Sequence, residues 1–237
     1  MQIVVLCGGK GSRLKELNGE TPKILTEFNN STYLEILVNY LKEFDELEEL
    51  VLLTGYGHDQ VKGKLIDIKA HFRISAYRDE VLGGGGSRSI LGAVKQNLLQ
   101  ENFVLIFGDS LPQFNIQQVF NKFVSNNLEM MMTYIDSNLV KEIPRIAINR
   151  NRVSYSSKAY PEDKYSMVDY GVTFFNLSAL SRFVNNNNLD LKILIEKITE
   201  NHYVYGYKAK KPYIEFGNLE SYKVAYQRFL DLTKWKI

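Results

Sequence analysis

The chain of 237 residues has one cysteine, Cys7, so an internal disulfide framework is excluded. Its three histidines, His58, His71 and His202, are scattered and lack the spacing of metal ligands. Charge of neither sign is in excess: 29 Lys and Arg against 27 Asp and Glu leave a formal net charge of +2. This argues against a nucleic-acid binder that relies on bulk charge. No apolar run approaches the ~20 residues needed to cross a bilayer. No basic region precedes the first apolar stretch, as a secretory leader would require. The expectation is a reduced, cytoplasmic protein with no membrane or nucleic-acid partner.

What is present is an ordinary apolar fraction, 45%, enough for a sizeable core. Short apolar runs, β-branched over residues 3–6, predict strands over 3–6, 49–54, 72–77, 103–107 and 130–135. Between them, helical spacing recurs over 34–44, 58–66, 87–99 and 116–124. The alternation predicts an α/β fold built from βαβ units. Its mainly parallel, mixed central sheet is flanked by helices in a Rossmann-like arrangement. The second half has strands over 146–148, 153–155, 170–175 and 203–207, with helices over 189–199 and 219–232. It is expected to complete the sheet and wall a cleft within a single domain.

Ligands of such sheets sit beyond the carboxyl ends of the strands. Three tracts fall there. The first, Cys7-Gly8-Gly9-Lys10-Gly11-Ser12-Arg13, has three glycines and is followed by Thr21-Pro22-Lys23. It matches neither the dinucleotide fingerprint, since Leu14 stands where the third glycine belongs, nor the P-loop. Glycines nevertheless let successive N–H groups form an anion nest, and Arg13 adds a forked donor. A solvated turn carrying surface basics is the other reading of these residues. The second tract is Leu82-Gly83-Gly84-Gly85-Gly86-Ser87, where close backbone approach to a ligand explains glycine better than a linker would. The third is Gly108-Asp109-Ser110, either a Mg²⁺ carboxylate or a helix cap.

In this order the tracts resemble the nucleotidyltransferases that activate sugar 1-phosphates. The family signature Gly-Gly-x-Gly-Thr/Ser-Arg-Leu, then Pro-Lys, is matched by Gly8–Leu14 and Pro22-Lys23. The later segments around Lys158, Asp169-Tyr170-Gly171 and Glu215-Phe216-Gly217 match more loosely. The resemblance implies a nucleotide-binding part over 1–135 and an acceptor-binding part over 136–237. An acceptor phosphate would attack the α-phosphorus of a nucleoside triphosphate and release pyrophosphate. Leu6, Cys7, Gly8, Gly9, Gly11 and Ser12, with Gly83, Gly84, Gly85 and Ser87, would bind the nucleotide. Arg13 and Lys23 would be the catalytic cations, and Asp109 with Glu215 would hold Mg²⁺. Lys158 would bind the acceptor phosphate. A homodimer is compatible with the pattern.

The chain departs from that family where the acceptor binds. The family's Glu before the acceptor lysine is Ser157, its Pro after it is Ala159, and the Asn of Asn-x-Gly is Asp169. These departures point away from hexose 1-phosphates and towards non-sugar phosphates such as L-glutamine phosphate or phosphocholine, with CTP as donor. Asp169, beside Gly171, would suit an ammonium, and Arg88 or Arg145 an α-carboxylate. GTP with heptose 1-phosphate is the alternative. A non-catalytic regulatory protein of this fold would have lost the triphosphate cations or the metal carboxylate, yet Arg13, Lys23 and Asp109 are all present. A glycosyltransferase would want an Asp-x-Asp pair, and the chain has none.

Overall fold

The computed structural model describes residues 1–82, 86–158, 163–186 and 189–234, with backbone alone at 80, 81 and 231–234. The first half runs β1 (Gln2–Leu6), α1 (Lys15–Asn18), β2 (Glu27–Phe28), β3 (Ser31–Thr32), α2 (Tyr33–Leu41), β4 (Glu49–Thr54), α3 (His58–Leu65), β5 (Arg73–Arg78), α4 (Asp79–Leu82), α5 (Gly86–Lys95), β6 (Asn102–Phe107), β7 (Ser110–Leu111), α6 (Ile116–Ser125) and β8 (Met130–Asp136). The second half adds β9 (Ile146–Asn149), β10 (Arg152–Tyr155), β11 (Met167–Asn176), α7 (Leu177–Ser181), α8 (Leu191–Asn201), β12 (Tyr205–Lys208), β13 (Ile214–Glu215) and α9 (Leu219–Lys234).

A nine-stranded sheet has the order β5-β4-β1-β6-β11-β8-β12-β10-β9 and includes strands from both halves of the chain. Its first four strands are parallel, with Val4 facing Val51 on one side and Leu105 on the other. Beyond them the sheet is mixed: β11 runs antiparallel to both β6 and β8, while β12 is parallel to β8. The chain steps outward from β1 to β4 and β5, then returns to β6 on the opposite flank. The strand order therefore reverses between β1 and β6, the place where open α/β sheets leave a crevice. The loops after β1 and β6 both open there.

Alternation along β1 decides which side chains meet which layer. Ile3 and Val5 join the core beneath α2, α3, α6 and α9; Val4 joins the core beneath α5, α7 and α8. The helix starts follow local chemistry. Thr32 and Glu35 form a capping box at α2, with Thr32 N donating to Glu35 Oε2 at 2.7 Å. Asn115 caps α6 and Asp190 caps α8.

Several sequence expectations shift. Residues 79–82 form a helical turn, α4, at the start of the second glycine tract. α7 follows β11 directly because Asn176 Oδ1 accepts from Ser178 N at 2.9 Å, and spacing alone does not reveal so short a helix. β11 begins three residues early, at Met167, where it pairs with β8 and β9. β12 begins two residues late, at Tyr205, opposite Met131.

Candidate active site

The loop after β1 is held by close contacts at the strand ends. Cys7 N still donates to Leu53 O at 3.0 Å, so the ladder ends there. A Cβ at Gly8 would fall 1.9 Å from Asp79 Oδ2, so only glycine lets this loop pass between β4 and the buried Asp79 carboxyl. Gly11 has φ +61°, the left-handed conformation that leads into the turn Ser12–Leu14. Leu14 is fully buried and anchors the loop, while Arg13 stays accessible. Burial, with the nearby Asp79 charge, pushes the Cys7 thiol up, so Cys7 is no nucleophile and acts as a packing residue.

Lys23 follows Pro22, whose extended backbone leads into the turn Lys23–Leu25. Its Nζ donates to Asp109 Oδ2 at 2.7 Å and lies 5.5 Å from the centroid of the Phe216 ring. Asp109 directly follows Gly108 at the end of β6. The short ribbon of β7 and β13 then sets Ser110 opposite Glu215, and Phe216 N donates to Asp109 O at 3.2 Å. Two carboxylates far apart in sequence are thereby brought to one ribbon. Gly217 sits at their junction: a Cβ there would lie 2.9 Å from Glu215 Oε2, 3.7 Å from Arg13 Nη2 and 3.9 Å from Lys23 Nζ.

Two cavities meet at this point. One, of about 490 Å³, is lined by Leu6, Cys7, Gly9, Gly11, Ser12, Arg13 and Lys23. The other, of about 310 Å³, is lined by Glu142, Arg145, Asp169, Gly171, Lys192 and Glu215 among others. Arg13, Phe107, Asp109 and Leu191 belong to both. Asp169 lies in the second, where Gly171 N donates to its Oδ1 at 2.9 Å. Burial raises its carboxyl to about 6, against the opposing pull of that hydrogen bond and of Arg145 and Lys192. Arg145 donates through Nη1 to the carbonyls of Ser156 and Lys158.

The other expected residues are placed differently. Lys158 is exposed and lies outside the lining of both cavities. Arg88 is exposed on α5 and lines neither cavity. Ser87 is buried and donates to Leu189 O, tying α5 to the segment before α8. Gly83, Gly84 and Gly85 lie outside the described residues. Sequence reasoning did not single out Glu142, Lys192 or Tyr213, which line the second cavity, since nothing in their spacing marks them. Burial pushes the Glu142 carboxyl up, and the charges of Glu215 and Asp109 push it further, while Arg13 and Lys192 oppose.

The profile of the MobA-like NTP transferase domain matches residues 3–128, which span β1 through α6 and most of the first cavity. The chain belongs to that family. Among family relatives, the D-glycero-alpha-D-manno-heptose 1-phosphate guanylyltransferase of Aneurinibacillus thermoaerophilus is 26% identical over 136 residues, 56% of each chain. The choline-phosphate cytidylyltransferase of Streptococcus pneumoniae is 30% identical over 60 residues, 25% of this chain and 26% of that one. The aligned stretches thus span about half or less of these relatives' length. The crystal structure of HddC from Yersinia pseudotuberculosis superposes with a TM-score of 0.74 at 18% identity, covering 96% of this chain and 99% of that one. The NTP-transferase fold therefore extends through the second half of the chain. Among the described residues, no helix is long and apolar enough to cross a membrane.

Proposed function

We propose that this chain is a Mg²⁺-dependent nucleotidyltransferase. It joins the nucleotidyl group of CTP to the phosphate of a small non-sugar acceptor and releases pyrophosphate. The observation that carries this reading is the partition shared by the two cavities, where Arg13 and Asp109 face both. A triphosphate in the larger cavity and a phosphorylated acceptor in the smaller one would meet there. An acceptor phosphate oxygen attacks the α-phosphorus, and the bond to the β-phosphate oxygen breaks on the opposite side. The protein contributes position and charge rather than covalent chemistry.

Arg13 would stabilise charge on the departing β- and γ-phosphates through its planar fork. Lys23, held by Asp109 and by the Phe216 ring, would lie near the α-phosphate of a bound triphosphate. The donor set at the ribbon suits a hard cation. Asp109 and Glu215 offer carboxylate oxygens, and Mg²⁺ takes one or two carboxylates and completes its shell with phosphates and water. Among the described residues no cluster of three or more His, Cys, Asp and Glu is arranged as a metal site, so the substrate phosphates would have to complete the shell. When bound, the ion would neutralise charge on the phosphates.

The non-sugar reading is supported by what became of the position before Lys158. Ser157 has no carboxylate, and Glu196, which accepts from Ser157 Oγ at 2.6 Å and from Ser157 N at 2.9 Å, lines neither cavity. Asp169 offers a carboxylate to a cationic group instead. The heptose guanylyltransferase relative favours a second reading, GTP with heptose 1-phosphate. An acceptor panel with CTP and GTP separates them. The first reading predicts faster pyrophosphate release with phosphocholine or L-glutamine phosphate. Fast release with heptose or glucose 1-phosphate, and none with the other two, would overturn it.

A further inference from the structure

The geometry points to Lys192 as the residue that receives the acceptor's phosphate. This rests on reading the smaller cavity as the acceptor site. Lys192 is the second residue of α8, and its predecessor Leu191 lines both cavities. The first turn of α8 therefore runs along the partition where donor and acceptor must meet, and Lys192 stands on the acceptor side of it.

The other cations near the cavity have other places or partners, and Arg13, which lines both cavities, is taken by the donor phosphates on this reading. Arg145 lines the same cavity, but its Nη1 is occupied by the carbonyls of Ser156 and Lys158. Lys23 lines the donor cavity and not this one. Lys158, the lysine that family resemblance nominates, lies outside the lining of the cavity. The Lys192 ammonium, by contrast, has no hydrogen bond or ion pair to any described residue. Its backbone N–H is already satisfied by Asp190 Oδ1 at 2.8 Å, so the side chain is what this turn offers a ligand.

Chemistry asks for a cation there. The attacking oxygen must come within about 3–3.5 Å of the α-phosphorus, which drives two phosphates together. Arg13 and Lys23 offset charge on the donor side. A lysine on the acceptor side offsets the other anion, and its rotatable ammonium suits a phosphate whose oxygens must turn during attack. Lys192 also faces Glu142 and Asp169, whose carboxylates it favours in the charged form. The acceptor's phosphate and its cationic end can thus be sorted within one cavity.

The test is steady-state pyrophosphate release at saturating CTP with phosphocholine or L-glutamine phosphate varied, using whichever the wild type turns over faster. Lys192→Met is expected to raise the acceptor KM by about 10- to 100-fold, the loss of one charge-assisted hydrogen bond to an anion. The CTP KM should stay within about twofold, and Lys192→Arg should recover most of the loss. An unchanged acceptor KM in a folded Lys192→Met protein overturns the inference, as does a rise seen in Lys158→Met alone. If the wild type releases no pyrophosphate with any pair, the functional reading has failed, and titration with inorganic phosphate decides the inference separately. About tenfold weaker phosphate binding in Lys192→Met supports it; equal binding overturns it.

Discussion

At the scale of single residues, Asp169 shows how the site trades stability against binding. Burial holds its carboxyl at about 6, above the ordinary 3.8. A carboxyl raised in this way adds stability at low pH, and that stability is lost as pH rises through the folded value. Asp169→Asn should therefore melt at a higher temperature than wild type above pH 6, with the gap closing below pH 4. The same substitution should raise the acceptor KM at pH 8, and in the wild type that KM should rise as pH falls through 6. Calorimetry and kinetics across pH 4–8 check both directions. Arg13→Lys keeps the charge but loses the fork. Pyrophosphate release should fall by about 10²–10³-fold, the loss seen when one transition-state donor is removed. Gly8→Ala tests the packing under the loop. Its Cβ would collide with the Asp79 carboxyl and approach Gly55 N to 3.1 Å, so a loss of about 1–3 kcal/mol is expected in chemical denaturation. Gly8 lies outside the lining of both cavities, while Arg13, Lys23 and Asp109, which line the larger cavity, were singled out in the sequence because each sits in a short local pattern. Glu142 and Lys192 were not. Each is an ordinary charged residue until the fold turns it into a cavity.

At the scale of elements, the alternation of apolar runs located β1, β4, β6 and β8 within a residue or so, because buried strands leave a near-continuous apolar signature. The ribbon of β7 and β13 left no such signature. Two-residue strands have no periodicity, yet this pair sets Ser110 opposite Glu215 and so assembles the carboxylates. The loop before Lys158 is another long-range device. Glu196 on α8 accepts from both the amide and the hydroxyl of Ser157, and Arg145 holds the carbonyls on the far side. Glu196→Ala removes two hydrogen bonds and should cost about 1–3 kcal/mol in urea unfolding. A loss under 0.5 kcal/mol would mean that the loop is held by other contacts.

At the scale of the whole molecule, one sheet includes strands from both halves, and the reversal of strand order between β1 and β6 opens the crevice in which the two cavities meet. The parallel half was foreseen from the βαβ rhythm. The antiparallel insertion of β11 between β6 and β8 was not, because strand direction depends on where the chain returns rather than on the strand's own composition. That insertion carries Asp169 and Gly171 to the cavity next to the loop after β1. The measurement that bears most directly on the account is the fate of the α-phosphorus of CTP. With CTP labelled at that position, Mg²⁺ and a phosphorylated non-sugar acceptor, the label is predicted to move onto the acceptor as pyrophosphate appears in equal amount. Both should be lost in Asp109→Ala. Label recovered only in unreacted CTP or free CMP, across phosphocholine, L-glutamine phosphate and the sugar 1-phosphates, would contradict the account.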